Sequence, residues 1–91
     1  MIKQDILEKR VKIVYLSIGS NLGNRFLNIE KAKSLLLDEG IKIVKSSNYY
    51  ETLSWPNPKN PKFYNIALKI KTRLTELEML KTCKQIEKLL G

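Results

Sequence analysis

Histidine is missing from this sequence, and cysteine occurs once, at Cys83. A chain without histidine lacks the commonest general base and metal ligand of proteins. One cysteine excludes an intramolecular disulfide and any cysteine-cluster metal site. Zinc catalysis and Ser-His or Cys-His chemistry are therefore not expected. Long apolar runs are missing too: nothing approaches the roughly 20 residues that cross a bilayer. The opening "MIKQDILEKR" has no apolar core of the kind secretory signals carry. A cytoplasmic address is expected, with no membrane partner.

Arginine is scarce beside lysine. The net charge of +8 includes just three arginines, Arg10, Arg25 and Arg73. Cationic faces bind phosphate backbones by releasing counterions. Lysines scattered along a chain also serve as ordinary solvated surface, and charge speaks of partners rather than fold. An anionic small substrate such as ATP suits the same charge. Proline and aromatic residues are few but concentrated. All three prolines and the single tryptophan lie in "SWPNPKNPKFYN", Ser54 to Asn65, and five of the seven aromatics fall between Tyr49 and Tyr64.

Ninety-one residues with 43% hydrophobic and 29% charged content make one small soluble domain. Residues 1–10 read as a charged extension, frayed or weakly helical. "VKIVYLSI", Val11 to Ile18, is rich in β-branched residues and predicts a strand. The turn "GSNLGN" follows, with Ser20, Asn21 or Asn24 available as helix cap. From about Asn24 to Asp38, Phe26, Ile29, Leu36 and Leu37 recur near helical spacing, and Gly40 is the expected stop. "IKIVKSSNYYET" predicts a single second strand. "KFYNIALKIKTRL" predicts a third, with Phe63, Asn65, Ala67 and Lys69 on one face. "TELEMLKTCKQIEKLLG" opens with a capping box, Thr75-x-x-Glu78, and offers Met79, Leu80, Cys83, Ile86 and Leu90 as its apolar stripe.

The expected order is β-α-β-β-α. A ferredoxin-like α+β sandwich has one strand more, β-α-β-β-α-β. In the usual arrangement that strand pairs beside Val11–Ile18, so its absence leaves a hydrophobic edge open to a partner or to self-association. The glycine-rich turn "SIGSNLGNR" joins a strand to a helix. It suits an anion-holding nest or a plain capped turn, and it is not a P-loop, because Asn24 and Arg25 follow Gly23. The proline-rich loop has little conformational freedom left to lose, since each proline fixes its own φ and extends the residue before it. Trp55 and Phe63 offer stacking faces, and the Asn65 carboxamide both gives and accepts hydrogen bonds. A few polar groups among aromatics is how small-molecule pockets are built; a crossover loop whose aromatics cap the core remains the plain alternative.

"YLSIGSNLGNR", "SSNYYETLSWPNPKNPKFYN" and "KQIEKLLG" resemble the N-terminal half of hydroxymethyldihydropterin pyrophosphokinase, in family order over about residues 11–91. That family transfers pyrophosphate from ATP to 6-hydroxymethyl-7,8-dihydropterin in folate biosynthesis and has a ferredoxin-like sandwich fold. By position, the resemblance places the pterin against Thr52, Leu53, Trp55, Phe63 and Asn65: the first three through their backbone, Phe63 by stacking, Asn65 by hydrogen bonds. It places Glu87 near the nucleotide. Lys84 stands where some members have glutamine, so a nucleotide contact there is a weaker expectation.

The family's arginine-containing catalytic loop and its Asp-x-Asp metal strand follow the position of Gly91. Residues 11–91 are accordingly expected to be a truncated domain, holding part of the pterin site but no catalytic residue and no Mg²⁺ site, with weak or absent ATP binding and no activity alone. Glu76 and Glu78 are two apart and do not share a helix face. Asp38 and Glu39 stand at a helix end. Two rivals follow from the residues themselves. One is a small basic RNA-binding module, which shares the element order; the third strand, "KFYNIALKI", lacks the glycine of the RNA-recognition signature. The other is an interaction module completed by a second chain at the open edge.

Overall fold

The computed structural model describes residues 10–54 and 56–90. The expected extension at residues 1–10 lies, but for Arg10, outside the described residues, as do Trp55 and Gly91. Strand β1 (Lys12–Ser20) leads to helix α1 (Arg25–Asp38), then to β2 (Lys42–Ser46), β3 (Tyr50–Thr52), β4 (Phe63–Thr72) and helix α2 (Glu76–Leu90). All strand pairings are antiparallel. β4 is central, with β1 on one side and β2 and β3 in succession on the other. The architecture is α+β.

Alternation in β4 sets the layering. Ile66, Leu68, Ile70 and Thr72 are buried, while Phe63, Asn65, Ala67 and Lys69 occupy the opposite face, as the sequence predicts. The buried face meets Ile29, Ala32 and Leu36 of α1, Met79 and Ile86 of α2, and Ile41. Five side chains here, Ile29, Ile41, Ile66, Leu68 and Ile70, are less than 2% exposed. Burying each contributes about 1.5–3 kcal/mol. Both helices thus cover one face of the sheet and leave the other uncovered among the described residues.

Three sequence expectations are corrected. The second strand is not continuous. Its register with β4 shifts between Ile43 and Lys45, and beyond β2 the Ser47 hydroxyl, rather than a backbone carbonyl, accepts from the Ala67 N–H at 2.8 Å. A serine side chain that takes a ladder bond interrupts the strand locally. In α1, Phe26 and Leu37 are each 53% exposed, and the buried positions are Ile29, Ala32 and Leu36. In α2, Leu80 is likewise exposed and Thr82 is buried in its place. Apolar side chains on these short helices exceed the width of the stripe that contacts the sheet.

The caps account for the helix ends. The Asn24 carboxamide oxygen accepts from Leu27 N–H at 3.0 Å, which settles the cap of α1 among the three candidates. Gly40, at φ +77°, ends that helix. The capping box of α2 forms as read: Thr75 N–H donates to Glu78 at 2.9 Å, and Glu78 N–H to the Thr75 hydroxyl at 3.2 Å.

Candidate functional site

Two short strand ends meet on the uncovered face of the sheet. β3 pairs with the start of β4, placing Thr52 opposite Phe63 and Tyr50 opposite Asn65. On the other side of β4, Gly19 of β1 stands opposite Asn65. The Asn65 amide donates to the Thr52 hydroxyl at 2.8 Å. That bond fixes the carboxamide and leaves its oxygen to accept. Asn65 and Phe63 are half-buried, whereas Thr52 and Leu53 are exposed at the end of β3.

Sequence reasoning missed the contribution of Gly19. A Cβ built there would lie 2.7 Å from the Asn65 carboxamide oxygen and 3.4 Å from the Phe63 ring. A glycine therefore lets both side chains lie close over β1. The signal was present in the alternation of β1, but the partner across the sheet cannot be read from a single strand.

The proline-rich loop joins β3 to β4 and is closed at its base. Ser54, 4% exposed, donates its hydroxyl to the Pro61 carbonyl. Within the loop the Asn60 N–H donates to the Asn57 carbonyl at 3.1 Å. The glycine-rich turn reaches the same base. The Asn21 amide approaches the Ser54 hydroxyl and the Pro61 carbonyl, each at 3.4 Å. The Arg25 guanidinium donates to Glu51 at 3.0 Å and to the Lys62 carbonyl at 2.9 Å, and it lies 3.7 Å from the centroid of the Tyr64 ring. Of the two readings of "SIGSNLGNR", the plain capped turn accounts for these contacts.

Behind this cluster, the Tyr49 hydroxyl donates to the Glu30 carboxylate. Burial, and then the carboxylate beside it, push the Tyr49 phenol up to about 12. The same hydrogen bond holds the Glu30 carboxyl below its ordinary value.

Glu87 and Lys84 are not brought to this face. Both are exposed on α2, which packs on the other side of the sheet. Glu87 lines a mostly apolar cleft of about 150 Å³ with Leu16, Ile18, Gly19, Cys83 and Leu90. Gly19 belongs to both places, so the C-terminal end of β1 separates Glu87 from the Asn65–Phe63 pair. Burial, then Glu87, push the Cys83 thiol up. Among the described residues, no group of three or more His, Cys, Asp or Glu side chains could hold a metal ion.

The chain is similar to known proteins over most of its length. The family model described as 7,8-dihydro-6-hydroxymethylpterin-pyrophosphokinase matches residues 15–91. A folic acid synthesis protein of Schizosaccharomyces pombe is 41% identical over 81 residues, covering 88% of this chain and 11% of that protein. The 2-amino-4-hydroxy-6-hydroxymethyldihydropteridine pyrophosphokinase of Aquifex aeolicus is 41% identical over 78 residues, covering 86% of this chain and 48% of that one. The Bacillus subtilis protein of the same name is 36% identical over 80 residues, again covering 48% of its length. The chain thus spans about half the length of these two bacterial relatives and about a tenth of the fungal one.

Proposed function

Because the chain belongs to the 7,8-dihydro-6-hydroxymethylpterin-pyrophosphokinase family, we propose that it supplies the pterin-recognising part of a folate-pathway transferase acting on ATP and 6-hydroxymethyl-7,8-dihydropterin. One observation supports this most: Asn65 is fixed by Thr52 through its amide N–H, with its oxygen unbonded among the described residues, beside the Phe63 ring. The ring of Phe63 takes the flat face of the pterin. Asn65 reads the pterin edge, where donors and acceptors alternate. Thr52 and Leu53 offer backbone groups at the end of β3, and Trp55 belongs to the same segment by sequence.

In the family reaction the pterin hydroxymethyl oxygen attacks the β-phosphorus of ATP and AMP leaves. Bound Mg²⁺ neutralises the triphosphate in such transfers. Among the described residues no group of three or more metal-ligating side chains is present, and the part assigned to this chain is to bind and orient the pterin. Glu87, and less so Lys84, face the nucleotide side around the end of β1. The chain alone forms AMP at background level. Its pyrophosphokinase domain begins at about residue 11, and its address is cytoplasmic.

The antiparallel order, with two helices on one face, supports a ferredoxin-like sandwich whose remaining edge strand pairs with β1. The part of the family's length that these residues do not span, about half of the bacterial relatives, is where that strand and the metal ligands belong in this reading. The basic RNA-binding alternative gains no observation of its own.

Titration of the chain with 6-hydroxymethylpterin, followed by ligand fluorescence, tests the assignment. Saturable binding is expected, and Asn65→Ala weakens it by about 1–3 kcal/mol by leaving pterin polar groups unpaired. An Asn65→Ala titration identical to that of the unsubstituted chain would remove Asn65 from the site.

A further inference from the structure

We propose that Arg25, assisted by Asn21, is a positioning residue that holds both ends of the proline-rich loop, Ser54 on one side and Pro61 and Lys62 on the other. The guanidinium of Arg25 reaches β3 and the end of the loop before β4 from the first residue of α1. One bond goes to Glu51, adjacent to Thr52; the other goes to the carbonyl of Lys62, adjacent to Phe63. Each anchor is thus one residue from a member of the Thr52–Phe63–Asn65 group. The flat guanidinium also lies on the Tyr64 ring at 3.7 Å. Its side chain is 25% exposed. A planar fork that bonds in two directions while stacking is a role that lysine does not reproduce.

Asn21 acts at the loop's other constriction. Its amide is 3.4 Å from both the Ser54 hydroxyl and the Pro61 carbonyl, the two groups already joined to each other. These contacts are longer than those of Arg25 and contribute less. Together the two residues tie the turn after β1 to both ends of the loop. The prolines limit the loop's own freedom, and the ties fix its direction. A loop held in its binding conformation before the ligand arrives spends less affinity on ordering.

The bracing rests on these bonds, and its consequence for affinity rests on the pterin reading above. Amide hydrogen exchange of the 91-residue chain tests the first, and 6-hydroxymethylpterin titration tests the second. The Lys59 and Asn60 amides, which bond within the loop, report its order. In Arg25→Ala their exchange accelerates at least tenfold, and less in Asn21→Ala, while amides of β1, β4 and α2 keep their rates. Pterin affinity falls at least fivefold in Arg25→Ala. Arg25→Lys gives an intermediate value of both and serves should the alanine variant not fold. Lys31→Ala, an exposed change on the same helix, leaves both unchanged.

Loop exchange that stays constant, or that rises by the same factor in every element, overturns the bracing. A loosened loop with full pterin affinity overturns the positioning role. An unsubstituted chain that binds no pterin, while Arg25→Ala still loosens the loop, overturns the pterin reading and leaves the bracing standing.

Discussion

At the scale of single residues, the site is made by what one position lacks. Asn65 and Phe63 approach β1 because residue 19 has no side chain. Gly19→Ala puts a methyl group 2.7 Å from the Asn65 oxygen, far inside ordinary contact. The carboxamide must rotate, and its bond to Thr52 at 2.8 Å goes with it. The clashing atom is the far end of a side chain that can turn aside, so the loss falls on binding more than on stability. The expected outcome is at least tenfold weaker 6-hydroxymethylpterin binding, with little change in thermal midpoint. Serine at the same position should do no better. Retention of full affinity in Gly19→Ala would show that the pterin does not use Asn65 in this orientation.

At the scale of elements, most of the chain was legible from local signals. β1, the capping box of α2 and the face assignment of β4 follow from branched residues, cap spacing and alternation. What was not legible depends on partners distant in sequence. The break between β2 and β3 comes from Ser47 bonding across to Ala67. Leu80 reads as core by spacing yet is exposed, because α2 turns Thr82 toward the sheet instead. Within the candidate site, Asn65 and Phe63 were recognisable as residue types and by resemblance; Gly19 and the Arg25 ties were not, since both span more than 25 residues of chain.

The join of α1 to the segment between β2 and β3 carries a pH dependence. Tyr49 donates to Glu30, and its phenol is raised from 10 to about 12. A folded-state value above the unfolded one means the folded chain holds its proton more tightly. The stability from this join is therefore complete below pH 10 and is lost as pH rises toward 12. Glu30 acts at the other end: its lowered carboxyl contributes above its ordinary value of 4.5 and loses that contribution as pH falls through the folded value. Two pH units correspond to about 2.7 kcal/mol, but Tyr49 is only half-buried, so solvent screening reduces the effect to about 1 kcal/mol. Urea unfolding at pH 9 and pH 11, compared between the chain and Tyr49→Phe, measures it. The unsubstituted chain loses more stability over that interval than Tyr49→Phe; equal losses would place the phenol outside this linkage.

At the scale of the whole molecule, the sheet of the described residues ends on a strand built for pairing. β1 has nine residues, no proline and an unbroken register with β4. Its one charged side chain, Lys12, donates to the Leu74 carbonyl at 2.7 Å. Edge strands that avoid other chains carry charges, prolines or bulges, and among the described residues none of these guards the outer side of β1. Val14, Leu16 and Ile18 face the helices yet stay half-buried, and the cleft beside them reaches Cys83. A strand added at this edge would cover the cleft and bring its own residues next to Glu87 and Gly19. The proposed reading assigns that strand to the family's remaining length, so mixing is the decisive experiment. A polypeptide carrying the family's arginine loop and Asp-x-Asp strand, added to the chain with ATP, Mg²⁺ and 6-hydroxymethyl-7,8-dihydropterin, should yield AMP. It should also slow alkylation of Cys83 at least tenfold. Protection of Cys83 without the added polypeptide, with a mass that rises with concentration in light scattering, would assign the edge to a second copy of this chain. Unchanged Cys83 reactivity with both polypeptides folded would mean that neither strand pairs there.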